Sequence, residues 1–288
     1  MLALYLVIRI VANPVSNVFQ KLLTRDGADP LFVIGAVHTI LAVVCLPILL
    51  ADFPELPAEF WLIMLAGAVL TVSGNVLIVL ALRQADLSIL GPINSYKAVV
   101  SLLPGLILLG EIPSSISLLG IALIVAGSWF LGEKKGSETR PSFAMLRSRG
   151  VQLRLAALVI SALEAAVMKR AMLLGTAWPT FAAWSIFGSA VALMAVLVTR
   201  SKAQFGKQSH LARKRWPRYL ALTISTGLMQ GCTIFLFYRF EIAAALALFQ
   251  LSTIVSVLLG WQVFRERDVL QRLFGATVMA VGAMLIIV

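Results

Sequence analysis

Residues 81–127 read ALRQADLSILGPINSYKAVVSLLPGLILLGEIPSSISLLGIALIVAG, and residues 236–285 read LFYRFEIAAALALFQLSTIVSVLLGWQVFRERDVLQRLFGATVMAVGAML. The second stretch repeats the punctuation of the first. Glu111, Gly120 and Gly127 stand at spacings of nine and seven, as do Glu266, Gly275 and Gly282. The same shift of 155 residues pairs Gly105 with Gly260, Leu103 with Leu258, Ser101 with Ser256 and Val100 with Val255. Further back, a shift of 149 pairs Lys21 with Arg170 and Pro30 with Pro179. Matched spacing over several residues marks an internal duplication.

The solvent of this duplicated unit follows from composition. Of 288 residues, 60% are hydrophobic and 13% charged, against about 25% charged in an ordinary soluble domain. Water cannot hold a fold with so little polar surface, and in lipid only helices or a closed barrel satisfy the backbone. Barrel strands are short and alternating, whereas the apolar runs here have the length of about 20 residues that crosses a bilayer as a helix. Ten such runs are expected, at 2–23, 30–50, 59–81, 87–109, 116–132, 151–173, 179–199, 217–238, 242–263 and 271–288. Five fall in each copy. Five is odd, so the second copy enters the membrane in the opposite sense, a plan shared by many secondary transporters. The expected fold is an all-α polytopic membrane protein, ten transmembrane helices in two inverted five-helix repeats, 1–132 and 151–288, joined by a basic linker, 133–150. A second basic stretch, 200–216, is too polar to span.

The formal net charge of +11 could suggest a nucleic-acid partner. The basic residues sit in short blocks between apolar runs, however, which fits anchoring at a membrane surface and argues against nucleic acid. Nineteen of the 24 Lys and Arg fall on the side of the two linkers, four on the side of the termini, and Lys97 falls within a span. The positive-inside rule then places the linkers in the cytoplasm and both termini outside, in an inner (plasma) membrane. Met1 leads directly into an apolar run with no small-residue cleavage site, so the first run is expected to be a retained span. Cys45 and Cys232 are isolated in apolar runs and make neither a disulfide framework nor a metal site.

The two quoted stretches resemble the duplicated EamA-type branch of the drug/metabolite transporter superfamily, and the resemblance covers nearly the whole chain. It implies a ten-helix basket working by alternating access, with a central cavity lined chiefly by spans 1, 3, 4, 6, 8 and 9. It does not name a cargo, because the superfamily carries amino acids, nucleotide sugars, sugar phosphates, lipids and drugs.

Polar residues inside the spans are the candidate site. Lys97 lies near the middle of span 4, where a charge costs at least about 2.5–3.5 kcal/mol and rarely faces lipid. Asn94, Lys97, Ser101 and Pro104 are spaced to share one helix face. The ammonium could hold a carboxylate or phosphate, or could make a static ion pair in the bundle. Glu164, near the middle of span 6, could balance Lys97, carry a coupling proton as desolvation favours its neutral form, or again be a static partner. Span 1 carries Asn13, Ser16, Asn17 and Gln20 around Pro14, which interrupts the backbone bonding. Span 8 carries Thr223, Thr226, Gln230 and Thr233, span 3 Ser73 and Asn75, and span 9 Gln250, Ser252, Thr253 and Ser256. These neutral groups could line a substrate path or bond helix to helix. His38 could carry a proton, although packing within span 2 is the simpler role. Arg9 can snorkel from its span end. Trp184 and Tyr96 read as packing residues, and the twin Glu111 and Glu266 as caps or gate contacts.

No GxxxxGK[ST] loop, HExxH motif or Cys/His cluster occurs in the sequence, so neither an ATP-driven pump nor an enzyme is supported and no cofactor is expected. The expected function is secondary transport of a small polar metabolite, an amino acid or related zwitterion or anion. Substrate-binding candidates are Lys97, Glu164, Asn94, Ser101, Asn13, Asn17, Gln230 and Gln250; proton-coupling candidates are Glu164 and His38. The expected partners are that solute, membrane lipids and, where coupling uses them, protons, with the chain as a monomer. The alternatives are export of amphipathic drugs, flipping of a lipid-linked sugar, or a receptor or assembly subunit that transports nothing.

Overall fold

The computed structural model describes residues 1–51, 55–84, 96–129, 148–252, 254–255 and 269–287. Among these the regular structure is helical throughout: α1 (Leu2–Arg25), α2 (Pro30–Ala51), α3 (Ala58–Gln84), α4 (Lys97–Val100), α5 (Leu102–Leu109), α6 (Ser115–Trp129), α7 (Arg149–Gly175), α8 (Ala177–Thr199), α9 (Lys202–Lys214), α10 (Trp216–Phe237), α11 (Ile242–Phe249) and α12 (Val269–Ile287). Six of them, α1, α2, α3, α7, α8 and α10, are long and apolar enough to cross a membrane. Large apolar side chains stand exposed on them and their shorter neighbours, Leu62 at 70%, Ile107 at 69% and Val198 at 80%. Water would not tolerate so much exposed apolar surface, and lipid chains would cover it. The linker 133–147, Glu266 and the residues around it lie outside the described residues.

Local chemistry sets the helix ends. Asp29 caps α2: its Oδ1 accepts from the N–H groups of Leu31 (3.0 Å) and Phe32 (3.2 Å), and Pro30 fills the first helical position, where no N–H is needed. Gly110 ends α5 in the left-handed region (φ 67°), which glycine adopts without strain. Between α4 and α5 the helical bonding is interrupted around Ser101, three residues before Pro104, which has no N–H to offer the Val100 carbonyl, while Ser101 itself keeps helical dihedrals (φ −72°, ψ −12°). Thr176, the single residue between α7 and α8, holds φ 59° and ψ 179°, a region natural mainly to glycine.

The helices form two compact units, and each unit draws on both sequence repeats. The first comprises Met1–Val72 and Val167–Tyr238. In it α1 packs antiparallel to α10 and α2 antiparallel to α8. The α1–α10 seam runs from the Tyr5–Phe235 ring stack (4.0 Å) through Arg9–Thr233 to Ser16–Thr226 (3.0 Å). The α2–α8 seam is held by the Thr39 and Ser189 hydroxyls (2.7 Å), residues 150 apart and thus near-equivalent in the repeat. Within the same unit, Gly175 lies under the ring of Phe60, and Glu59 pairs with Arg170 at 3.0 Å.

The second unit comprises Ser73–Ala166 and Arg239–Val288. Its centre is α11, whose eight residues are all buried and which is packed against α4, α5, α6 and α12. A helix apolar on every side belongs in the middle of a bundle. Beside it α6 and α12 pack antiparallel with their glycines facing. A Cβ on Gly120 would stand 2.7 Å from the Gly282 carbonyl oxygen, and one on Gly127 2.7 Å from that of Gly275. Equivalent glycines of the two repeats thus exchange roles across the seam. Small residues permit this approach of backbones, the common means of close packing in lipid.

The polar stretch 200–216 does not span, but most of it is helical: α9 covers 13 residues. Its signal is a capping box. Ser201 Oγ accepts from the Gln204 N–H (3.3 Å), while Gln204 Oε1 accepts from the Ser201 N–H (3.0 Å).

Candidate functional site

The candidates divide between the two units. Lys97, Ser101, Glu164 and Gln250 belong to the second; Asn13, Asn17, Gln230 and His38 belong to the first. Asn94 lies outside the described residues.

In the second unit, Lys97 is half-buried and opens α4, which packs on the central α11. One turn later comes Ser101, where α4 gives way to α5. Ser101 is fully buried, and its hydroxyl donates to the Ala98 carbonyl at 2.7 Å. That bond satisfies a group of the interrupted helix, so Ser101 serves the backbone. Pro104 leaves the Val100 carbonyl without its helical N–H about one turn beyond Lys97, while the backbone there stays in the right-handed helical region (Ser101 φ −72°, ψ −12°). Glu164 is half-buried on α7, four residues beyond Ile160, which meets Gly74 of α3. Gln250 is buried at 8% exposure and follows the last residue of α11; its N–H donates to the Ala247 carbonyl at 2.9 Å.

Glu111 has a defined role here. Its Oε2 accepts from the Ile242 N–H at 2.8 Å. The carboxylate, carried by the residue just past Gly110, therefore sits at the first N–H of α11, where a helix N-terminus favours negative charge. Capping is one of the two roles its twin placement in the sequence suggested. Glu266 lies outside the described residues.

In the first unit the polar stripe of α1 meets that of α10. Arg9 does not only snorkel: its Nε donates to Thr233 Oγ1 at 2.6 Å, and Thr233 donates to the Met229 carbonyl at 2.7 Å. Ser16 is buried against Thr226, while Asn17 is exposed. Asn13 and Gln230 are half-buried at the level between these two bonds. The arrangement gives an embedded guanidinium with hydroxyl and amide groups along one seam, able to orient an anionic or amide-bearing ligand as well as to join the helices. The signal for Arg9 was present in the sequence, as an Arg two turns inside an apolar run. Its direction was not, because an Arg stem can reach either inward or to the interface.

His38 is buried in the α2–α8 seam, its ring 4.2 Å from that of Trp184 and set into the space left by Gly188. Trp184 is likewise buried in that packing. Among the described residues no group of three or more His, Cys, Asp or Glu could hold a metal ion, and Cys45 and Cys232 are separate buried thiols.

At the end of the first unit where α1 and α2 meet, charges are concentrated. Asp26 takes Arg215 (2.9 Å) and Arg218, and Asp29 takes Arg200 (2.9 Å). Gln208 of α9 accepts from the Asp29 N–H at 2.9 Å and donates to the Gly27 carbonyl at 3.2 Å. These contacts fasten α9 to the α1–α2 turn.

Known proteins bear on this arrangement. The model of the EamA-like transporter family matches twice, over residues 3–132 and 148–288. A crystal structure described only as that of a protein has the same fold at a TM-score of 0.73 and 15% identity, over 99% of this chain and 98% of its own. Among curated proteins none matches in sequence. Two family repeats over apolar helices that lipid must cover describe a multi-pass membrane protein of the transporter type, and the chain belongs to the EamA-like transporter family, within the drug/metabolite transporter superfamily.

Proposed function

We propose that the chain is a secondary transporter of a small polar metabolite, an amino acid or a related zwitterion or anion, moved by alternating access. Its membrane part is ten helices in two inverted repeats, 1–132 and 151–288, with the basic stretches on the cytoplasmic side of an inner (plasma) membrane. Lys97 holds the anionic group of the solute. Glu164 balances that charge, binds an amine or carries a coupling proton. Gln250, in the same unit, adds hydrogen bonds, and neither a cofactor nor a catalytic residue takes part.

The observation that carries this reading is Lys97 itself, a half-buried ammonium on α4, the apolar helix packed against the buried core helix α11. A charge among apolar membrane helices is costly and turns to the bundle interior or a water-filled path, where a solute's anionic group can pair with it. The antiparallel packing of repeat-equivalent helices, α2 on α8 and α6 on α12, supports the inverted plan.

The test is a ligand-stabilisation screen on purified protein, followed by uptake into proteoliposomes. A zwitterionic or anionic solute should raise the unfolding midpoint, and Lys97→Ala and Glu164→Gln should each weaken that effect at least tenfold in concentration. If a stabilising solute binds both variants as well as wild type, the site assignment is wrong. If reconstituted protein moves no solute that stabilises it, a receptor or assembly role replaces transport. Reporter fusions at the termini fix the orientation.

A further inference from the structure

Helix α9 carries a surface that transport of a solute does not use. From Arg200 to Arg218 the chain has seven basic residues (Arg200, Lys202, Lys207, Arg213, Lys214, Arg215 and Arg218) and no acidic one. They fall into two sets. Arg200, Arg215 and Arg218 are taken by Asp29 and Asp26. Lys202, Lys207, Arg213 and Lys214 are exposed, and among the described residues none has a carboxylate partner.

Helix geometry explains the division. At about 100° per residue, Ser201, Gln204, Phe205, Gln208 and Arg215 fall within about 60° of one line. That line is the docked face: Gln208 bonds the α1–α2 turn, and Phe205 meets Phe32 edge-on with ring centres 5.7 Å apart. Measured from Gln208, Lys202 and Arg213 lie at about 120–140° on one flank, and Lys207 and Lys214 at about 100–120° on the other. Two basic rows therefore run along the helix away from its docked face.

Covalent connection fixes where these rows lie. Helix α8 ends at Thr199 and α9 begins at Lys202; α9 ends at Lys214 and α10 begins at Trp216. A helix of about 20 Å is thus tied at both ends to the same ends of two spans, which confines it to the headgroup layer. If it lies beside the α1–α2 turn, one flank faces the bilayer; if it lies over the helix ends, both flanks face sideways along it. Either way a basic row borders phospholipid headgroups. Trp216, 61% exposed at the junction with α10, adds an interfacial indole of the kind that sits at headgroup level.

We propose that α9 is an in-plane helix whose two basic rows, Lys202/Arg213 and Lys207/Lys214, bind the headgroups of anionic phospholipids. Uncompensated positive charge beside an anionic leaflet draws those lipids, and the docking of Gln208 and Phe205 holds the rows in place before any lipid arrives.

The test uses the purified full chain in nonionic detergent. Phosphatidylglycerol or phosphatidylcholine is added, and the unfolding midpoint is read with a thiol-reactive dye on the buried Cys45 and Cys232. Phosphatidylglycerol should raise the midpoint of wild type and phosphatidylcholine should not, with most of the rise lost in high salt. The variant Lys202→Gln/Lys207→Gln/Arg213→Gln/Lys214→Gln should lose at least half of the rise. Glutamine has nearly the helix propensity of the residues it replaces, so α9 is retained. The two row variants, Lys202→Gln/Arg213→Gln and Lys207→Gln/Lys214→Gln, make the comparison in milder form; at least one should lose a clear part of the rise. An equal rise in wild type and every variant overturns the proposal. So does an equal rise with inorganic phosphate alone, which would mark a simple anion site. No rise in wild type also overturns it and leaves the rows to an acidic soluble partner.

Discussion

Gly127 on α6 is a position where one methyl group should matter. A Cβ there would lie 2.7 Å from the Gly275 carbonyl oxygen, 2.7 Å from Met279 Cγ and 2.9 Å from the Met279 nitrogen, where ordinary contact begins at 3.4 Å. The side-chain carbon can turn away; the two backbone atoms cannot. Gly127→Ala must therefore part α6 and α12 locally by about 0.7 Å, the shortfall of those contacts. A gap of that order forfeits about a quarter to a half of the dispersion energy of the contacts it opens, and overpacking of this kind costs about 1–3 kcal/mol. The better helix propensity of alanine returns up to about 1 kcal/mol. The net loss should be about 1–2 kcal/mol, or a midpoint lower by roughly 2–8 °C. The matched control is Gly231→Ala in α10, where a Cβ meets nothing within 4 Å. It should leave the midpoint unchanged or raise it. Thermal unfolding of both variants in one detergent, followed by dye labelling of the buried cysteines, reads the difference. If Gly127→Ala is as stable as Gly231→Ala, the close approach of α6 and α12 is wrong.

Three further outcomes follow from particular contacts. Glu111→Gln keeps the shape of the cap on α11 but removes its charge, and should cost about 1 kcal/mol, with Glu111→Ala costing about 2 kcal/mol; equal stability of all three proteins would deny the Glu111–Ile242 bond. Asp29→Asn keeps the α2 cap and loses the half-exposed Arg200 pair, a change of about 0–1 kcal/mol, whereas Asp29→Ala should lose about 1 kcal/mol more; identical midpoints for the two would show that the cap contributes nothing. Thr176→Gly should stabilise by about 1 kcal/mol, since φ 59° with ψ 179° suits glycine alone, and a lower midpoint would mean that the Thr176 conformation is not strained.

Much of this was legible in the sequence for one reason: in lipid the backbone has few solutions, so a long apolar run is enough to announce a helix. The starts at Leu2, Pro30 and Ala177, and the ends at Arg25, Leu109 and Thr199, lie within two residues of what hydropathy and turn chemistry expected. The glycine pattern 120/127 and 275/282 likewise disclosed the duplication. Helix α9 was missed because its polarity hid it, although Ser201-x-x-Gln204 is a capping signature. The interruption of bonding around Ser101 could not be told from Pro104 alone, since α1 runs on through Pro14.

The sequence by itself therefore determined the class, the repeat and the family, because these depend on composition and on spacing along the chain. Only the tertiary structure decided which polar residues meet. Arg9 turned to Thr233, Ser101 to its own helix, His38 into the space beside Gly188, and three of the seven basic residues around α9 to Asp26 and Asp29. A side chain's partner is fixed by the helix packed beside it, and that helix stands 131 residues away for Glu111 and 224 for Arg9. Periodicity gives the face a residue occupies; the energy of burying a charge or hydroxyl settles only once the opposing face is in place.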